Sequence, residues 1–302
     1  MHASLAIWAM QAFNGLSNFS VLLLMALGLA IIFGQMGVIN MAHGEFLTIG
    51  AYTTYLLSNL SERFAPWLSK WYFLVAVVVA FGLAGLVGLA VEYLMVRHLY
   101  RRPLDTLLAT WGLSLIMQQA FRSIFGAREV SATLPGWLMG SLKPTGSIDI
   151  PINGLFVMGL TTVLTALVFV GLFRTRLGVD VRATMQNRSM ASAAGINTGR
   201  IDRFTFAFGC GLAGIAGAAF TTIGSTGPTS GSLYIVDTFL VVVFGGAQSL
   251  IGTIGSAFTI AQTQATTEFF MTGSMAKVVT LSAVVLVLMA RPQGLFALKM
   301  RS

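Results

Sequence analysis

Uninterrupted apolar runs of about twenty residues recur along this chain, and they limit the folds open to it more than anything else in the sequence. Residues 71–96, "WYFLVAVVVAFGLAGLVGLAVEYLMV", carry one charge, Glu92. A backbone immersed in hydrocarbon must satisfy its own hydrogen bonds, which leaves α-helices and closed barrels. Runs this long do not alternate as barrel strands must. Of 302 residues, 56% are hydrophobic and only 9% charged, against about 25% charged in a soluble domain. So few charges cannot clothe a soluble surface. The predicted fold is all-α: one polytopic transmembrane helical domain over residues 1–302.

A span needs about 20 apolar residues at 1.5 Å each. That measure predicts spans within 5–33 (kinked near Asn14–Gly15), 45–59, 71–96, 105–125, 153–173, 204–224, 233–247, 250–270 and 276–291, about nine in all with a range of eight to ten. The first stretch lacks the charged start and small-residue cleavage site of a signal peptide, so it reads as a retained span.

The charges orient these spans. Arg97, Arg101 and Arg102, then Arg174, Arg176, Arg182, Arg188, Arg200 and Arg203, then Arg291, Lys299 and Arg301 share one face. They are twelve of the eighteen Lys and Arg; Arg63, Lys70, Arg122, Arg128, Lys143 and Lys277 take the other. The positive-inside rule makes the first face cytoplasmic, with the C-terminus inside. The net charge of +8 is thus spent on topology, and nucleic-acid binding is not expected. The longest inner loop, 174–203, predicts a short amphipathic helix from about Asp180 to Ala194 that stops at Gly195. The outer loop 126–152 is rich in Gly, Pro and Ser.

Catalytic signatures are missing. No Gly–Lys dipeptide exists, so there is no P-loop. His2, His43 and His98 are too dispersed for zinc, and no G-x-S-x-G elbow occurs. The lone Cys210 reads as a small buried apolar side chain. No metal and no cofactor are expected, and the chain is not expected to be an enzyme. What is left is movement of a solute.

Two apolar runs break in similar ways. "FGQMGVINMAHGEFLTIGAYTTY" interrupts itself with Asn40, His43, Gly44 and Glu45, and "VVVFGGAQSLIGTIGSAF" with Gly245, Gly246 and Gln248. Paired interruptions in corresponding positions point to a transport pathway. Glu45 should not face lipid, where a charge costs about 2.5–3.5 kcal/mol on insertion scales. A plainer reading makes each break a turn between helices, capped by Asn40 or His43. Gly82–Gly85–Gly88 and Gly209–Gly211–Gly214–Gly217 read as close helix packing.

"GQMGVINMAHGEFLTIGAY", "RRPLDTLLATWGLSLIMQQ", "RATMQNRSMASAAGIN", "VVVFGGAQSLIGTIGSAF" and the terminal "RPQGLF" resemble the permease family of branched-chain amino acid importers, of the ATP-binding-cassette class. Within it "RRPLDTLLATWG" and "TGPTSGSLYIVDTFLVVVFGG" look closest to the urea-importing subgroup. The resemblance implies a bacterial inner-membrane protein paired with a second, homologous permease, two cytoplasmic ATPase subunits that bind the ATP, and a periplasmic substrate-binding protein. It implies ATPase coupling through Met190, Ala191, Ser192, Ala194, Gly195 and Ile196. The acidic residue common just ahead of that motif is replaced here by Gln186, Asn187 and Arg188. Sparse intramembrane charge favours a neutral solute, urea; a branched-chain amino acid is the alternative. A self-sufficient channel or ion-coupled carrier is the rival class.

Overall fold

The computed structural model describes residues 2–64, 67, 69–100, 102–145, 148–246, 249–291 and 294. Among them lie α1 (His2–Met36), α2 (His43–Phe64), α3 (Tyr72–Leu94), α4 (Pro103–Phe125), α5 (Ile152–Arg174), α6 (Arg176–Gln186), α7 (Arg188–Ala193), α8 (Thr198–Phe220), α9 (Ser230–Gly245), α10 (Leu250–Phe270) and α11 (Gly273–Ala290). The helical bundle expected from the apolar runs is present. One departure is a small hairpin within 126–152, where β1 (Ser141–Thr145) pairs antiparallel with β2 (Ile148–Pro151).

Among the described residues, five helical segments are long and apolar enough to cross a membrane: Ile7–Met36, Tyr72–His98, Ile152–Arg174, Thr198–Phe220 and Gly273–Ala290. The expected nine are not reached by this measure. At 16 residues, α9 extends only about 24 Å. The longer α2, α4 and α10 carry polar faces. On α2 those polar groups are buried, with Glu45, Thr48, Thr54, Ser58 and Ser61 all enclosed by neighbouring helices. Protein rather than lipid is their solvent. At Asn14–Gly15, where a kink is expected from sequence, α1 stays helical, running unbroken over 35 residues. Gly15 serves α10 instead, because a Cβ there would meet the Gln262 side chain.

At the centre stands α8, packed on α1, α2 and α3 through its small residues. Gly209 lies against Gly28, Gly214 against Ala80 and Ala84, and Gly217 against the backbone of Leu47 and Ala51. Helices without a hydrophobic drive toward one another associate by such close backbone approach. Cys210 is fully buried in the same row.

The bundle has two chemically different ends. The close of α1 meets Arg97, His98, Tyr100, Arg102 and Arg188 around a polar cavity. At the other end Val130 bridges Thr226, Asn153 donates to the Thr222 carbonyl, and Ser58 bonds Thr133. Arg97 and Arg102 of the α3–α4 connection and Arg188 of α7 therefore gather at the end where α1 finishes.

Candidate functional site

The first interruption turns back into the bundle. After Met36 the chain passes Gly37, whose φ of 63° suits glycine, and stays non-helical until His43. His43 Nε2 then donates to the Met25 carbonyl at 3.2 Å. Met25 sits eleven residues before the end of α1, about 16 Å along its axis. That is roughly half of a 30 Å hydrocarbon core. Non-helical backbone at such depth must be satisfied by protein. Here Asn40 Oδ1 accepts from the Ala42 N–H (3.0 Å), and Thr110 Oγ1 on α4 accepts from the Met41 N–H (3.1 Å).

Glu45 follows immediately and is 1% exposed. Its Oε1 accepts from Ser114 Oγ (2.9 Å) and Gln118 Nε2 (2.9 Å) on α4, with Ser232 Oγ on α9 at 3.3 Å. Gln118 Nε2 also lies 2.8 Å from Ser232 Oγ. Glu45 Oε2 and His43 Nδ1 are buried and make no hydrogen bond among the described residues. Gly44 packs backbone to backbone on Gly231, and the Gly231 N–H donates to Thr48 Oγ1 at 3.0 Å. So α2 and α9 both begin at this depth. Their positive N-terminal dipole ends stand beside the carboxylate and favour negative charge there. Two turns further along α2, Tyr52 stacks on Phe125 (centroids 3.9 Å apart, planes 8°) and leans on Phe121 at 5.5 Å. An aromatic cluster thus lies between Glu45 and the end opposite the arginines.

Ser114 and Ser232 escaped the sequence reading. The signal for the first was Thr106, Thr110, Ser114 and Gln118, a four-residue polar spacing on an otherwise apolar helix. Nothing in sequence marks Ser232.

The second interruption differs. Gly246, with φ 89°, ends α9, and Ser249 caps α10, its Oγ accepting from the Gly252 N–H at 3.0 Å and its own N–H donating to the Gly246 carbonyl at 2.9 Å. Gln248 lies outside the described residues. Phe239 on α9 touches Phe33 near the end of α1, which puts Gly245 and Gly246 at the arginine-rich end. They are thirteen or more residues from Ser232 along the chain, about 20 Å of helix. The two breaks that look alike in sequence occupy different depths, and among the described candidates Asn40, His43, Gly44 and Glu45 lie together, apart from Gly245 and Gly246.

The expected helix from Asp180 to Ala194 is two helices. Asn187 is extended (φ −153°, ψ 101°), and its side chain caps α7 by accepting from the Met190 N–H at 3.0 Å. That bond offers the backbone an alternative to continuing α6. Gly195, at φ 87°, closes α7, with Ile196 N–H donating to the Ala191 carbonyl at 3.0 Å. Met190, Ser192 and Ala194 are exposed, while Ala191 is tucked inward. The replaced triplet has work here: Asn187 caps, and Arg188 forms an ion pair with Asp202, which is wholly buried and also receives Gln35 Nε2 at 3.2 Å. Of the terminal "RPQGLF", only Arg291 and Gly294 are among the described residues.

Comparison with known proteins identifies the family of the chain. The family described as branched-chain amino acid transport system / permease component matches residues 11–289. The chain is 27% identical to the high-affinity branched-chain amino acid transport system permease protein LivH of Salmonella typhimurium and to that of Escherichia coli (strain K12), over 94% of both chains in each pair. It is 28% identical to the corresponding protein BraD of Pseudomonas aeruginosa, again over 94% of each chain. No solved structure shows a significant match. These relatives lend no support to the urea-importing subgroup expected from the sequence. With its match running nearly end to end, the chain belongs to the permease-component family of branched-chain amino acid transport systems.

Proposed function

We propose that this chain is the permease subunit of an ABC importer that carries branched-chain amino acids into the cell. Urea, the solute favoured from sequence, gives way to the amino acid. The observation that carries the reading is the Glu45 cluster. A buried carboxylate with one oxygen uncommitted, at the depth where α2 and α9 begin, supplies an acceptor for an ammonium group. A neutral solute needs hydrogen-bond acceptors but no fixed charge. The aromatic cluster of Tyr52, Phe121 and Phe125 closes the outer side of this point, and the re-entrant 37–42 segment forms its inner approach.

The chain supplies a pathway and no motor. Its working assembly adds a second permease, two cytoplasmic ATPase subunits and a periplasmic binding protein, in a bacterial inner membrane with the C-terminus inside. The segment from Met190 to Ile196, with Met190, Ser192 and Ala194 exposed on α7 and at its end, receives the push of ATP-driven closure. Arg188 passes it through Asp202 to α8 and through Gln35 to the end of α1. Gly245 and Gly246 would then flank the inner exit, and the outer loop 126–152 would receive the binding protein.

Uptake of labelled leucine into proteoliposomes holding the full assembly tests this. ATP-dependent uptake that excess leucine suppresses and excess urea leaves alone is the expected result. Suppression by urea would restore the neutral-solute reading. Solute entry through this chain alone, without ATP, would make it a channel or carrier.

A further inference from the structure

A second feature lies on the opposite side of α8 from Glu45. An apolar groove of about 490 Å³ runs between α3, α5, α6 and α8. On α8 its wall extends from Phe204 to Ile215, eleven residues or about 16 Å of helix. That equals the depth of one leaflet, half of a hydrocarbon core about 30 Å thick. Val78, Leu167 and Phe204 on its walls are exposed, so the groove opens sideways toward lipid rather than into the protein.

Its mouth has the opposite character. Thr175, Leu177 and Gly178 line the end where α5 passes into α6. Arg174 and Arg176 flank Thr175 in sequence and are exposed. The Arg182 guanidinium lies 5.0 Å from the Phe173 ring, and Arg203 precedes the lining residue Phe204. Asp180 is the one acid on α6. The Asp202 carboxylate nearby is already taken by Arg188. Thr205, which lines the groove and is 2% exposed, has a hydroxyl without a hydrogen-bond partner among the described residues.

From this combination we infer that the groove is a binding site for one phospholipid with an anionic headgroup. An acyl chain fills the apolar slot, the Thr205 hydroxyl donates to an ester carbonyl, and Arg174, Arg176 and Arg182 hold the phosphate region. A one-leaflet slot below arginines is complementary to such a lipid in shape and charge. Anionic headgroups attract basic segments at the membrane surface, and guanidinium groups bind phosphate through paired donors. Because α6 is a wall of the groove and leads through Asn187 into α7, an occupied site braces the coupling segment against the bundle.

Native mass spectrometry of the full chain, exchanged into micelles with either phosphatidylglycerol or phosphatidylcholine, tests the site. The wild type should retain one phosphatidylglycerol in preference to phosphatidylcholine. The double variant Arg176→Gln/Arg182→Gln should lose about thirtyfold of that preference, from roughly a factor of five per arginine. In Gly171→Phe the new ring enters the groove, since a Cβ at Gly171 meets nothing within 4 Å; retention should vanish while the chain stays monodisperse. Equal retention of the two lipids by wild type overturns the site. Unchanged retention in the double variant overturns headgroup recognition even if Gly171→Phe fails to fold. Efficient cross-linking of a Leu167→Cys chain to its partner permease would show that protein fills the groove, and would overturn it too.

Discussion

Arg188→Ala should release the coupling segment from the bundle at a calculable cost. Asp202 is 0% exposed at the start of α8, and its carboxylate is held by Arg188 from α7 and by Gln35 from α1. Removing one partner of a buried ion pair costs about 3–5 kcal/mol, because the other charge is left uncompensated. Here the Arg188 side chain keeps 45% of its exposure, so water already screens part of the attraction and the expected loss falls to about 2 kcal/mol. Asp202→Ala should cost less, since an exposed arginine returns to water. The double variant Arg188→Ala/Asp202→Ala should be clearly more stable than the two losses added together. Equilibrium unfolding of the full chain in mixed micelles, run as a double-mutant cycle, measures this coupling. A coupling within about 0.5 kcal/mol of zero, the range of independent sites, would refute the reasoning. The same Arg188→Ala chain in the full assembly should hydrolyse ATP with reduced leucine uptake per turnover.

Three further outcomes follow from the geometry. Glu45→Gln, which keeps shape and removes charge, should cut leucine uptake tenfold or more while the chain still inserts; undiminished uptake would remove Glu45 from the pathway. Met190→Arg places a charge on the exposed α7 surface and should uncouple ATP hydrolysis from uptake without altering thermal stability, so normal uptake would argue against docking there. Gly217→Val forces its side chain into the Leu47 and Ala51 backbone and should destabilise the chain by about 1–3 kcal/mol, read as a lower thermal midpoint; an unchanged midpoint would mean that α2 and α8 can part freely.

Much was legible before any coordinates. Residue type alone marks the apolar runs, the clustering of arginines at one end, the tight glycine rows and the unusual Asn40–Glu45 break, because solvation in lipid is a property of composition and period. The capped α7 was half legible. Gly195 announced its end, but the division at Asn187 depended on a local side-chain bond winning over the helix ladder. The count of about nine spans stays unconfirmed for a related reason: α2 and α4 hide polar groups against one another, and hydropathy cannot tell a polar group facing lipid from one facing Ser114.

Depth was decided only by the tertiary structure. "FGQMGVIN" and "FGGAQSLIG" read alike, yet one folds back to the level of Met25 and the other turns at the end of the bundle. A sequence states which groups need partners; it does not state where the partners will be. Glu45, a candidate from sequence, acquires its setting because α4 and α9, from 69 and 187 residues away, bring Ser114 and Ser232 to one of its oxygens and leave the other without a partner among the described residues. Long-range packing of small residues around α8 sets that meeting point, and no local pattern in the chain encodes it.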